Sequence, residues 1–127
     1  MILEHIAINV PDAIAMADWY VEHCGLRMVI KLNDAPFTRF LTDQKGRTCI
    51  EIYSNRDIPM PDYSQIHHQN YHQAFAVKDP EATSKRLQEA GATFVEDMTH
   101  VDGTRLIMLR DPWQVPLQIV LRAKPWY

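Results

Sequence analysis

Apolar and polar residues alternate along residues 3–12, and a similar alternation returns along 70–79. Aligned 67 positions apart, His5 falls on His72, Val10 on Val77 and Asp12 on Asp79. A period of two is the signature of a strand with one face buried. Each run ends on an aspartate, a residue whose short carboxylate caps the first turn of a helix. After Asp12, Ile14, Ala17, Tyr20, Val21 and Cys24 recur at helical spacing, and Gly25 supplies the stop. After Asp79, Pro80 suits the first helical position, Ala82, Leu87 and Ala90 follow, and Gly91 ends the pattern.

Three strand-like runs follow each helix: 26–32, 36–42 and 47–54 in the first half, 92–98, 104–110 and 115–122 in the second. Asn33-Asp34, Asp43-Gln44-Lys45-Gly46, Asp102-Gly103 and Asp111-Pro112 separate them as turn signals. Each half therefore reads β-α-β-β-β. The polar stretch 55–70, with Pro59 and Pro61, reads as a linker. The expectation is an α+β fold, one domain over 1–127 made of two similar modules, 1–54 and 71–122.

Composition narrows the function classes. A chain of 127 residues with 46% apolar and 23% charged residues suits one globular domain rather than a disordered segment. The net charge of −3 and the lack of a basic stripe argue against a nucleic-acid partner. No apolar run reaches the roughly 18 residues of a membrane span. The opening Met-Ile-Leu-Glu-His-Ile reads as a strand and carries no signal-peptide features. Cys24 and Cys49 form no motif, which suits free thiols. A cytoplasmic location is the expectation.

The last strands of the two halves obey the same period, with Glu51 in Cys49-Ile50-Glu51-Ile52-Tyr53 falling on Gln118 in Pro116-Leu117-Gln118-Ile119-Val120. Strand alternation sets Ile2, Ile6, Ile8 and Val10 against His5, Ile50 and Ile52 against Glu51, Phe75 and Val77 against His72, and Leu117 and Ile119 against Gln118. The aliphatic face is expected to pack on the helix of its own half. The other face, carrying His5, Glu51, His72 and Gln118, is expected to line a hollow. Two imidazoles, a carboxylate and an amide oxygen form a metal-ligand set, for which Zn, Ni, Co, Mn and Fe are all suitable. Taken singly, each residue also fits a plain structural role. Glu51 is the one acid of the four, so it is the candidate proton-transfer group as well as a ligand. Arg39 and Arg105 suit an anionic substrate or an ordinary strand surface, and Trp113 a substrate contact, the core or the rim. His67 and His68 read as solvated loop residues.

These residues resemble the vicinal oxygen chelate superfamily, which includes glyoxalase I, methylmalonyl-CoA epimerase, extradiol dioxygenases, fosfomycin-resistance enzymes and bleomycin-binding proteins. Leu3–Val10 is similar to the family's opening strand. Asp18-Trp19-Tyr20 with Cys24-Gly25-Leu26 resembles its "FY…lGL" segment, and His72–Asp79 its "HiaF.VdD" strand. Leu109-Arg110-Asp111-Pro112 and Leu117-Gln118-Ile119 resemble the closing "DPdGn.iEl". The resemblance implies two βαβββ modules whose mixed sheet curves around a cavity, frequently in a homodimer, with one divalent metal held by residues matching His5, Glu51, His72 and Gln118. It implies a lyase or isomerase of the glyoxalase I or epimerase type, acting on a small carbonyl or thioester compound. A metal-free small-molecule binding protein of the bleomycin-resistance type is the alternative, followed by an Fe(II) dioxygenase. Gln118 departs from glyoxalase I, which has Glu there. Relative to the epimerase set, the amide and the carboxylate are exchanged between the halves.

Overall fold

In the computed structural model, which describes every residue except Thr48 and Tyr127, both aspartates cap their helices. Thr48, in the expected strand 47–54, and Tyr127, the end of the expected domain, thus lie outside the described residues. The Asp12 carboxylate accepts from Ala15 N at 2.9 Å, and the Ser54 hydroxyl accepts from Ala13 N at 2.8 Å. These contacts satisfy two amides that an α-helix leaves without internal partners. Gly25 ends the helix at φ 70° with its amide bonded to Tyr20 O. Asp79 accepts from Ala82 N at 2.9 Å, with Pro80 behind it at the first turn.

Contacts divide the chain into two units, Met1–Pro61 and Asp62–Tyr127. The first holds β1 (Ile6–Asn9), α1 (Ala13–Cys24), β2 (Arg27–Lys31), β3 (Arg39–Thr42) and β4 (Cys49–Tyr53). Its sheet runs β1-β4-β3-β2, with β1 parallel to β4 and the other pairs antiparallel. The second holds β5 (Gln73–Ala76), α2 (Pro80–Glu89), β6 (Thr93–Thr99), β7 (Arg105–Arg110) and β8 (Pro116–Leu121). Its sheet runs β5-β8-β7-β6 with the same directions. Two βαβββ modules of α+β type are therefore present. No helix among the described residues is long and apolar enough to cross a membrane.

Each helix packs on its own sheet. Ile8, Val10, Leu41 and Ile52 form the buried face in the first unit, and Ile107, Leu109, Leu117 and Ile119 in the second. The helical faces differ from the expected ones. Helix α1 buries Ala13, Met16, Ala17, Trp19 and Tyr20, while Ile14 is exposed. Helix α2 buries Pro80, Ser84 and Leu87, and Ala82 is exposed. Ile2 and Ile6 are also exposed rather than buried. β1 is an edge strand that starts at Ile6, so these residues have a sheet neighbour on one side at most.

The boundary between the two units falls inside the expected linker 55–70. Residues 55–61 belong to the first unit and 62–70 to the second. Tyr63–Gln65 forms a 3₁₀ turn capped by Asp62, with Tyr63 buried.

Candidate metal centre

The sheet registers of the two units match at the residues of interest. Glu51 stands opposite Ala7 on β1 and Phe40 on β3. Gln118 stands opposite Ala74 on β5 and Met108 on β7. His5 lies two residues before Ala7, and His72 two before Ala74. The pleat therefore places His5 on the face of Glu51 and His72 on the face of Gln118, opposite the helix in each unit. The alanines between them leave the space above the sheet open.

Contacts bear this out in the first unit. His5 Nε2 lies 3.3 Å from Glu51 Oε2, and the His5 ring meets the Phe40 ring edge-on, 5.5 Å between centroids. The other ring nitrogen, Nδ1, is bonded to the Glu4 carboxylate. A separation of 3.3 Å suits two donors that each sit about 2.1 Å from one ion. Burial pushes the thiol pKa of neighbouring Cys49 up, with Glu4 and Glu51 adding to the effect.

In the second unit Gln118 is buried. His72 Nδ1 lies 2.7 Å from the carbonyl oxygen of His68. A carbonyl oxygen has no proton to give, so Nδ1 is the donor, and in the neutral ring the lone pair is on Nε2. Histidines that bind metals commonly hold one ring nitrogen this way while the other faces the ion. In both His5 and His72 Nδ1 meets an oxygen, the exposed Glu4 carboxylate in one case and the His68 backbone carbonyl in the other, while His5 Nε2 faces Glu51. Among the described residues, no group of three or more His, Cys, Asp or Glu side chains is gathered to hold a metal. Each unit instead carries one histidine and one partner of the expected set, and the donor chemistry fits a divalent cation.

The arginines lie elsewhere. Arg39 is opposite Ile52 in the β3–β4 register and therefore on the helix face, with only 2% of its surface exposed. Its Nη1 donates to the carbonyls of Leu32, Phe37 and Thr38, the last two at 3.1 Å. Arg105 shares the helix face with Ile107 and Leu109, with Nη2 2.7 Å from Asp97 Oδ2 and Nη1 3.9 Å from Glu81. Neither side chain is on the face of Glu51 or Gln118. Trp113 sits in the turn before β8, its amide bonded to the Asp111 carboxylate at 2.9 Å. That carboxylate also accepts from Val115 N at 2.9 Å and so fixes the entry to β8 and Gln118. Gln114 takes φ 68° in this turn, where the family pattern has Gly.

The Arg105 hydrogen bond, aided by its charge, holds the Asp97 carboxyl below the usual carboxylate range. A depressed carboxyl stabilises the fold above its unfolded value, about 3.9, and that contribution disappears as pH falls through the lower folded value. Arg105→Gln is thus expected to lower the urea midpoint slightly at pH 7, the pair being partly exposed. The gap from the parent is expected to close as pH falls below about 4.

Two residues outside the expected set complete this region. His68 Nε2 lies 2.7 Å from Glu96 Oε1 on β6, and Glu96 shares Met108's place in the register, hence the face of Gln118. A run of loop histidines gives no hint in sequence of a partner almost thirty residues away.

The comparisons bear on the fold and the family. Residues 2–119 match the family model described as the Glyoxalase/Bleomycin resistance protein/Dioxygenase superfamily. Among solved structures, the chain is similar to a glyoxalase family protein from Bacillus cereus, with a TM-score of 0.81 at 16% identity, covering 95% of this chain and 93% of that one. It is similar to a superfamily member from Sphaerobacter thermophilus, with a TM-score of 0.73 at 19% identity over 96% and 98% of the two chains. It is also similar to lactoylglutathione lyase from Agrobacterium tumefaciens, with a TM-score of 0.69 at 17% identity over 98% and 96%. No curated protein matches the sequence. At these identities the structural likeness speaks for the fold, and with a family match over nearly its whole length the chain belongs to the glyoxalase/bleomycin resistance protein/dioxygenase superfamily.

Proposed function

We propose that the protein is a divalent-metal-dependent lyase or isomerase of the glyoxalase I or epimerase type, acting on a small carbonyl or thioester compound. His5, Glu51, His72 and Gln118 hold the ion. The observation that carries this reading is the repeated register, Ala7 opposite Glu51 and Ala74 opposite Gln118, with an Nδ1-anchored histidine two residues upstream in each case. When bound, a divalent ion of this kind supplies Lewis-acid stabilisation to negative charge growing on a carbonyl oxygen. The chain's own residues do the rest. His5 and His72 would hold the ion through Nε2, the His72 ring being oriented by the His68 carbonyl. Glu51 takes the proton from the carbon beside the carbonyl and returns it to the product. Gln118 is an oxygen donor with no proton-transfer capacity, which leaves that work to Glu51. A cytoplasmic homodimer belongs to the same reading, in keeping with the family's paired modules.

A second reading is favoured by Gln118, an amide where glyoxalase I has a carboxylate. On that reading the protein sequesters a small molecule without metal or turnover. Elemental analysis of protein purified without chelator or metal-affinity tag separates the two. The metal reading expects stoichiometric divalent ion, and the sequestration reading expects none.

A further inference from the structure

The segment from Asp62 to His72 is pinned at several points within the second unit. Arg110, the last residue of β7, donates from Nη1 to Tyr63 O at 2.8 Å and to Gln114 O at 2.9 Å, and from Nη2 to Ile66 O at 2.9 Å. One guanidinium thus ties the start of the segment to the turn before β8. Beyond Ile66, the His67 ring stacks on His68, 4.3 Å between centroids. His68 points its imidazole at Glu96 on β6, Nε2 to Oε1 2.7 Å, and its side chain is mostly covered. The carbonyl of that same residue accepts from His72 Nδ1 at 2.7 Å. The position of the carbonyl, and with it the proton on His72, therefore depends on two side chains far away in sequence.

We propose that Arg110 and Glu96 are positioning residues for His72. They hold the 62–68 backbone so that the His68 carbonyl keeps His72 in its Nδ1–H form, with the Nε2 lone pair directed to a divalent cation. This rests on the reading of His72 as a metal ligand. A planar guanidinium spans two carbonyls on one side and a third on the other, a geometry that a lysine ammonium does not reproduce. The glutamate acts at one remove, by fixing the His68 side chain and so the peptide that bears the accepting oxygen. Outer partners of this type commonly govern metal affinity without touching the ion.

The test uses the full chain as apoprotein and zinc ion alone as the probe. Long-range nitrogen–proton correlation spectra, recorded well above the ordinary imidazole pKa of about 6.5, report the tautomer of His72. Calorimetric titration with zinc chloride reports affinity. The parent is expected to show a single Nδ1–H form. Arg110→Met and Glu96→Gln are each expected to populate both tautomers and to weaken zinc binding by about 10- to 100-fold, with circular dichroism unchanged. Arg110→Lys is expected to restore only part of the loss. An unchanged tautomer or an unchanged affinity in the variants overturns the proposal. Should Arg110→Met fail to fold, Glu96→Gln decides alone, because its carboxylate is substantially exposed. Failure of the metal reading shows differently: His72→Ala then binds zinc as the parent does, whatever the variants do to the tautomer.

Discussion

Glu51→Gln is expected to abolish turnover of carbonyl and thioester substrates while weakening divalent-ion binding far less. The substitution keeps size, shape and one oxygen donor. It removes the charge and the basicity, which are what proton abstraction beside a carbonyl requires. General-base catalysis contributes about 10²- to 10⁴-fold, so kcat is expected to fall by at least that factor. Metal affinity is expected to fall by a smaller factor than kcat, since an oxygen donor, the two imidazoles and Gln118 remain. The environment supports the dual role: Glu51 is partly open to solvent beside His5, so its carboxylate is reachable by a small molecule. Steady-state rates against a panel of small carbonyl and thioester compounds, with calorimetry on the same samples, check both halves. Normal turnover in the variant removes Glu51 from the proton-transfer role.

Arg39→Met is expected to destabilise the protein by on the order of 3 kcal/mol. The guanidinium is buried under the sheet of the first unit and holds the carbonyls of Leu32, Phe37 and Thr38. Methionine matches its bulk and removes that donor; Thr38 O keeps the Leu32 amide, while Leu32 O and Phe37 O lose this bond. Losing a hydrogen bond to a charged donor costs about 1.5–3 kcal/mol, and relief of the burial penalty on the charge, whose Nε has no partner among the described residues, offsets part of the sum. Urea unfolding measures the loss. The folded fraction is expected to bind metal like the parent, because Arg39 is on the opposite face from Glu51. A stability change below about 0.5 kcal/mol, the usual range for an ordinary surface position, contradicts the clamp.

Much of the architecture is legible in the sequence because local chemistry dictates it. The caps at Asp12 and Asp79, the stop at Gly25 and the turn at Asp111-Pro112 each depend on residues within a few positions of one another. The register of Glu51 and Gln118 is legible for a different reason: duplication makes two copies of one signal, and a shared offset shows what neither copy shows alone. Helix faces are less legible. Ala82 and Ser84 are both small, so packing geometry rather than hydrophobicity decides which one is buried. Arg39 and Arg105 illustrate the main gap. Alternation assigns a strand residue to a face, yet charge suggests exposure, and only the pattern of carbonyls around Arg39 and of Asp97 around Arg105 explains why charged groups sit on the helix side. The partnership of Arg110 with Tyr63 and Ile66, and of His68 with Glu96, depends on long-range placement of a segment whose composition signals only a loop.

The central claim is that one divalent ion is held by His5, Glu51, His72 and Gln118. Elemental analysis of untagged protein prepared without chelator tests it most directly, with His5→Ala and His72→Ala treated identically. The account predicts one divalent ion per chain in the parent and loss of that ion in each variant after dialysis. A parent that carries no ion, or variants that retain it in full, contradicts the account.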